Sequence, residues 1–164
     1  MRRGYMLAAL VLCTLLLSSC GGMEPVRRYS GPAFAPVRNT KVAFQTREIP
    51  ASCQVIAHVV HTSTPGAGAQ EIARALVGEA STRGADLLLV GLSREVKKGG
   101  SPGISYHGPE VPYRFTDAWA GWKFGLDDRV SLGGWATLGA AEWGAASVRF
   151  DSSIRTKVAF LRCQ

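Results

Sequence analysis

One segment of the chain has the residue types of a nucleophilic hydrolase. Gly99-Gly-Ser101-Pro-Gly103 fits the pattern G-x-S-x-G, and His107 and Asp117 follow it. That pattern supports a catalytic serine where a strand, a sharp turn and a helix meet. Here the residues after Ser101 favour a loop, and the order Ser-His-Asp differs from the Ser-Asp-His order of that fold. We therefore predict no catalytic residue and no enzyme.

Two histidines are the other candidates for chemistry. His58 and His61 lie three residues apart in a segment with the composition of a strand. Neutral imidazole is a common metal ligand, so a site shared between one of them and His107 or a carboxylate is one interpretation. Side chains three apart on a regular strand point to opposite faces, which prevents both from binding one ion unless a bulge intervenes. We expect partly exposed strand histidines, no metal and no cofactor.

The first twenty residues have the layout of an export signal. Arg2 and Arg3 precede an apolar run from Met6 to Leu17, and small residues follow that run. A secretory signal peptide has this order of charged, apolar and small residues. The apolar run is shorter than the ~20 residues that cross a bilayer as a helix, so a membrane span is not expected.

The end of this segment, Leu17-Ser18-Ser19-Cys20, resembles the lipobox of bacterial lipoproteins. The resemblance implies removal of residues 1–19, a diacylglycerol thioether on Cys20 and acylation of its new amino group. Each buried lipid methylene contributes ~0.8 kcal/mol, so several chains hold a protein durably on a membrane. In that family, Asp after the cysteine favours the inner membrane, whereas Gly21 implies an outer-membrane lipoprotein that faces the periplasm. An ordinary signal peptide with an incidental cysteine is the alternative.

The cysteines favour one disulfide. Cys13 leaves with the signal peptide and Cys20 is used by lipid, which leaves Cys53 and Cys163. In an oxidising compartment an even number of cysteines favours pairing. We predict a bridge between Cys53 and Cys163, and two buried free thiols are the alternative.

Basic residues exceed acidic ones along the chain. Lys and Arg number 19 against 12 Asp and Glu, and the net charge of +7 falls to +5 without Arg2 and Arg3. Such an excess favours contact with anionic lipid headgroups. The basic residues are scattered and form no nucleic-acid-binding motif, so we expect membrane lipid and an envelope protein as partners, and no nucleic acid.

Three segments divide the chain. Residues 1–19 form the signal peptide, and residues 20–39 are rich in Pro, Gly and Arg without a periodic apolar face, which predicts a flexible tether. Residues 40–164 are enough for one domain with a core.

Strand patterns lie on both sides of one helix pattern in this domain. Alternating, β-branched or continuous apolar residues predict strands at 40–47, 53–62, 86–93 and 156–163. The sequence Thr40-Lys-Val-Ala-Phe44 recurs as Thr156-Lys-Val-Ala-Phe160, and two copies do not make a repeat architecture.

The helix pattern covers residues 68–83. Ile72, Leu76 and Ala80 lie four apart on one face, and Glu79 and Arg83 form a favourable pair at the same spacing. The order β-β-α-β, an insertion and a last strand predicts an α+β fold, a mixed sheet with one helix packed on one face.

Residues 48–93 and the last strand resemble a group of small envelope proteins. Ile49-Pro-Ala-Ser-Cys53 leads into a strand, and the helix from Glu71 is followed by Arg83-Gly-Ala-Asp86 and an apolar strand. This arrangement resembles lipoproteins of the Rcs stress-sensor (RcsF) type and the related DUF4156 group. The resemblance implies a non-enzymatic role in interaction, sensing or envelope maintenance. The stress sensor has four domain cysteines, whereas this domain has two.

The insertion at residues 95–150 contains all the tryptophans of the chain, Trp119, Trp122, Trp135 and Trp143. If exposed, they form an aromatic surface for a protein partner, a glycan or lipid. If buried, they cover the open face of the sheet, which is the commoner place for tryptophan in a small domain. Two functions follow, an interaction or sensing lipoprotein and, as the alternative, a glycan- or small-molecule-binding module that uses the insertion.

Overall fold

The computed structural model describes residues 26–97, 101–115 and 132–163. These residues form seven strands and one α-helix, joined by turns and loops. The strands are β1 (Lys41–Ala43), β2 (Cys53–Thr62), β3 (Leu87–Val96), β4 (Gly103–Tyr106), β5 (Tyr113–Arg114), β6 (Leu132–Trp135) and β7 (Ile154–Cys163). The helix, α1, is Ala69–Thr82, and a 3-10 turn at Thr46–Glu48 follows β1. The predicted α+β class is confirmed.

The strands form one mixed sheet. Its order is β1-β3-β7-β2-β4, with β5 also paired to β2 and β6 also paired to β3. Strand β1 runs parallel to β3, and the other pairs are antiparallel. Strands β2 and β7 pair along their whole length, from Cys53 opposite Cys163 to Thr62 opposite Arg155. These two strands therefore form the centre of the sheet.

Helix α1 covers one face of the sheet with the residues that its sequence pattern selects. Ile72, Leu76 and Ala80 are buried, and they pack with residues of β2, β3 and β7 in the main core. The opposite face has a second apolar cluster that includes Leu89 and Phe115. Successive side chains of a strand point to opposite faces, so the continuous apolar run of β3 supplies both clusters.

A disulfide joins the two central strands at one end. The sulfur atoms of Cys53 and Cys163, the pair that the cysteine count favours, are bonded, and the two residues are 110 apart in sequence. In the chain-entropy model, closing a loop of this length stabilises the folded state by ~4–5 kcal/mol. The backbone N–H of Cys163 donates to Asp86 Oδ1 at 2.8 Å, which ties the end of β7 to the residue before β3.

Three strands, β1, β3 and β7, differ in length from the sequence pattern, and β7 begins two residues earlier than predicted, at Ile154. Strand β1 ends at Ala43 because Glu48 accepts hydrogen bonds from the backbone N–H groups of Phe44 and Gln45 and draws the chain into the 3-10 turn. Strand β3 continues to Val96 because its last residues pair with β6 and β7. Competing local hydrogen bonds therefore shorten β1, and pairing with strands that are distant in sequence extends β3.

Residues 26–37, called here the N-terminal strap, lie against α1 and β4 without forming a helix or strand. The Tyr29 ring meets the Tyr106 ring edge-on at 5.1 Å, and the Tyr106 N–H donates to the carbonyl of Arg27 at 3.0 Å. Near the other end, the Val37 N–H donates to the carbonyl of Ser81 at 3.1 Å, and the Ser81 hydroxyl donates to the carbonyl of Val37. This part of the expected flexible tether is therefore bonded to the domain at both ends.

Gly84 allows the strap to approach the end of α1. Its φ is +77°, and a Cβ placed there would lie 2.5 Å from Phe34 Cβ and 2.7 Å from the carbonyl oxygen of Ala35. Arg162 completes this contact, since its guanidinium lies 4.8 Å from the centre of the Phe34 ring and donates to the Gly84 carbonyl at 2.9 Å. Glycine is needed here both for the left-handed turn after the helix and for close packing.

We predict that Gly84→Ala displaces the strap. The added methyl group clashes with Phe34 and Ala35, so trypsin should cleave the strap at Arg27 and Arg28 faster than in the wild type. Gly66→Ala is the control, since Gly66 has a similar φ of +78° with nothing within 4 Å of its added Cβ. Both variants carry the ~1–2 kcal/mol cost of a left-handed alanine. Equal cleavage rates in the two variants would contradict the strap contact.

Candidate functional site

His58 is buried beside a tyrosine hydroxyl. Its side chain is 1% exposed, its Nε2 lies 2.9 Å from Tyr113 Oη, and the two rings stack at 5.9 Å. Its backbone N–H donates to Gly108, and its carbonyl accepts from His107 at 2.8 Å. The expectation of a partly exposed histidine is wrong here, because β5 and the loop after β4 cover the residue.

This burial shifts the pKa values of His58 and Tyr113 in opposite directions. Desolvation, with a smaller contribution from His107, lowers the pKa of His58 to about 4. Desolvation also raises the pKa of Tyr113 to about 12. Both groups are therefore neutral near pH 7, and the hydrogen bond between them fixes β5 to the sheet without providing a general base that titrates at neutral pH.

His61 lies on the other face of β2 and is also buried, at 8% exposed. It lines a cavity of about 130 Å³ with Glu71 of α1. Burial lowers the pKa of His61, and the Glu71 carboxylate opposes this shift. The expectation of partial exposure is wrong for this residue too, because α1 and the loop before it cover the strand.

The two histidines do not share a site. A register shift in β2 falls between Val55 and Ala57, before either histidine, so the alternation of faces continues from His58 to His61. Across residues 26–97, 101–115 and 132–163, no three His, Cys, Asp or Glu side chains are grouped so that they could hold a metal ion.

Ser101 of the G-x-S-x-G segment and His107, which follows that segment, are separated by a strand. Ser101 precedes β4 and His107 follows it. The four extended residues of β4, Gly103–Tyr106, cover about 10 Å of backbone between these two residues. Asp117 lies outside the described residues.

The two tryptophans within the described ranges have different surroundings. Trp135 in β6 is 66% exposed, and the Arg94 guanidinium lies 5.0 Å from its ring centre. Trp143 packs edge-on against Phe44 at 5.7 Å and borders the main core. Trp135 is therefore exposed, as an aromatic surface requires, whereas Trp143 packs against the core. Trp119 and Trp122 lie outside the described residues, as does Cys20.

A cleft of about 440 Å³ has the N-terminal strap on one side. Strand β4 and the last turn of α1 form its other side. Its lining includes Arg27 and Arg28 of the strap and Arg83 at the end of the helix. This cleft is not predicted from the sequence, in which residues 20–39 have the composition of a flexible tether. The Arg27-Arg28 pair and Tyr29 are the local sequence signals of the cleft, and neither indicates which residues the strap contacts.

The wall of the cleft is a network of four side chains. Arg83 Nε donates to Glu79 at 2.8 Å and to the Tyr106 hydroxyl at 3.3 Å, and that hydroxyl donates to Glu79. The Arg83 guanidinium lies 4.8 Å from the Tyr29 ring centre and 5.5 Å from that of Tyr106, within the range of a cation–π contact. Burial and the bond to Glu79 raise the pKa of Tyr106. The predicted i,i+4 pair of Glu79 and Arg83 therefore also connects the strap and β4 to the helix.

Comparison of this chain with protein-family models, curated proteins and solved structures finds no match. Of the helices in the described ranges, none is long and apolar enough to cross a membrane.

We predict that His58 makes the protein less stable in acid. Its folded pKa of about 4 lies below the ordinary 6.5. Between these values the unfolded chain binds a proton that the folded protein does not, so stability falls as pH decreases, by up to roughly 3 kcal/mol. Urea unfolding at about pH 7.5 and about pH 4.5 measures the loss.

The matched variant is His58→Gln, which keeps a polar group near Tyr113 and cannot titrate in this range. It should lose less stability than the wild type between the two pH values. The other ionisable side chains are the same in both proteins, so the difference in pH-dependent stability between the two proteins isolates His58. The same pH-dependent loss in both proteins would overturn the prediction.

Proposed function

We propose that this protein is a lipoprotein of the bacterial cell envelope, anchored in the outer membrane through acylated Cys20. Its α+β domain acts in the periplasm by contacting an envelope partner, in sensing or envelope maintenance, and not by catalysis. The observation that carries the proposal is the disulfide between Cys53 and Cys163. Disulfides form and persist in exported proteins and are rare in the cytosol.

The use of the cysteines supports this proposal. The segment that resembles a lipoprotein signal contains Cys13 and ends in Cys20, and the other two cysteines are bonded to each other. Every cysteine thus has a place that fits export and anchoring. The separation of Ser101 from His107 by β4 favours an interaction role over hydrolysis.

We predict that Cys20→Ala abolishes lipid attachment and releases the protein from the outer-membrane fraction. Intact mass of the membrane-extracted protein and cell fractionation measure the two effects. Cys13→Ala is the matched control, because it removes a cysteine that leaves with residues 1–19 and should not change the mature mass. Retention of Cys20→Ala in the membrane with an unlipidated wild type would refute the anchor.

Glycan or small-molecule binding through the insertion is the second candidate, and the exposure of Trp135 favours it. Exposed tryptophan beside arginine is typical of recognition surfaces. If this candidate is right, cell-wall oligosaccharides should shield tryptophan fluorescence from acrylamide, and Trp135→Phe should remove that effect. Trp143→Phe is the control, since Trp143 packs on the core. Unchanged quenching on adding the oligosaccharides would exclude this candidate.

A further inference from the structure

The strap determines which part of the domain lies nearest to the anchor. Only residues 21–25 separate Cys20 from Val26, the first residue of the strap. An extended chain spans at most ~3.6 Å per residue, so Val26 lies within roughly 20 Å of Cys20. The Tyr29 ring contacts the Tyr106 ring, and the Arg27 carbonyl accepts a hydrogen bond from the Tyr106 N–H. The cleft beside the strap therefore also lies close to Cys20.

Two arginines give this cleft positive charge that is available to a ligand. Arg27 and Arg28 are exposed, and neither forms a salt bridge with any residue in the described ranges. Val26, which is 49% exposed, adds an apolar group beside them. Basic side chains next to an apolar residue are typical of contacts with a membrane surface.

The other charges of the cleft are already paired. The Glu79 carboxylate accepts from Arg83 and from the Tyr106 hydroxyl, so most of its repulsion toward an anion is offset. Arg83, the C-cap residue of α1, also offsets the partial negative charge of the helix C-terminus. The excess charge therefore belongs to Arg27 and Arg28.

We propose that this cleft binds the phosphate of an anionic phospholipid headgroup in the membrane that holds the anchor. Guanidinium groups match phosphate oxygens in charge and geometry, and Arg27 and Arg28 are the two that project from the strap. The strap and the last turn of α1 then face the bilayer, and the domain has one fixed orientation on it. This inference rests on the anchoring through Cys20 proposed above.

The experiment uses the mature acylated protein in vesicles of phosphatidylcholine, with or without phosphatidylglycerol. Hydrogen exchange of residues 26–29 and 103–106 is the measurement. We expect exchange roughly tenfold slower when phosphatidylglycerol is present, and Arg27→Gln/Arg28→Gln should remove most of this protection. Arg47→Gln/Arg114→Gln removes the same charge from exposed residues that do not line the cleft, and should keep it.

The outcomes separate this inference from the proposed function. Failure of the wild-type protein to carry lipid or to float with vesicles refutes the anchor itself. A protein that floats but exchanges equally in both vesicles refutes the headgroup site. Equal loss of protection in both double variants assigns the effect to net charge and overturns the cleft. The same protection from inorganic phosphate without phosphatidylglycerol overturns the lipid assignment.

Discussion

The antiparallel pairing of β2 with β7 is the constraint on which the rest of the structure depends. It brings together two segments about a hundred residues apart in sequence and places Cys53 directly opposite Cys163. Strand β3 pairs with the free edge of β7, and strands β4 and β5 pair with the free edge of β2. The other strands of the sheet therefore lie on either side of this pair, and the disulfide holds the pair in register at one end.

The register shift in β2 determines what each face of the sheet contains. Val55 belongs to the cluster opposite α1, whereas Ile56 and Ala57 both belong to the core under the helix. Residues after the shift alternate again, which places His58 against Tyr113 and His61 in the cavity beside α1. The two histidines are neighbours in sequence, yet the sheet lies between their side chains. Composition alone makes them candidates for one shared metal site, and the pleat of the strand places them on opposite faces of the sheet.

The N-terminal strap connects the domain to its proposed anchor. Its bonds to Tyr106 and Ser81 convert the last part of a proline- and glycine-rich segment into part of the folded surface. The arginine network of Arg83 joins the strap, the helix and β4, so movement of any one of them disturbs the others. In the proposed arrangement residues 21–25 alone separate the anchor from the strap, so the domain would stay close to the membrane surface.

Local sequence patterns predicted the elements that depend on local physics. The bounds of β2 and the buried stripe of α1 follow from β-branched composition and four-residue spacing, and the Cys53–Cys163 pair follows from counting cysteines. The strap, the cleft and the burial of both histidines were not predicted, since each depends on contacts between residues far apart in sequence. The different surroundings of Trp135 and Trp143 have the same origin.

The repeated sequence Thr-Lys-Val-Ala-Phe shows which properties follow from local sequence and which follow from long-range strand pairing. Its copies at 40–44 and 156–160 direct valine and phenylalanine to the core under α1 and alanine to the opposite cluster, because alternation along a strand is local. Only the tertiary structure decides the burial. Lys41 lies in an edge strand of three residues and is exposed, whereas Lys157 lies in a central strand of ten and is 7% exposed. The sequence by itself determined the faces of each strand, and long-range pairing determined which strand became the centre.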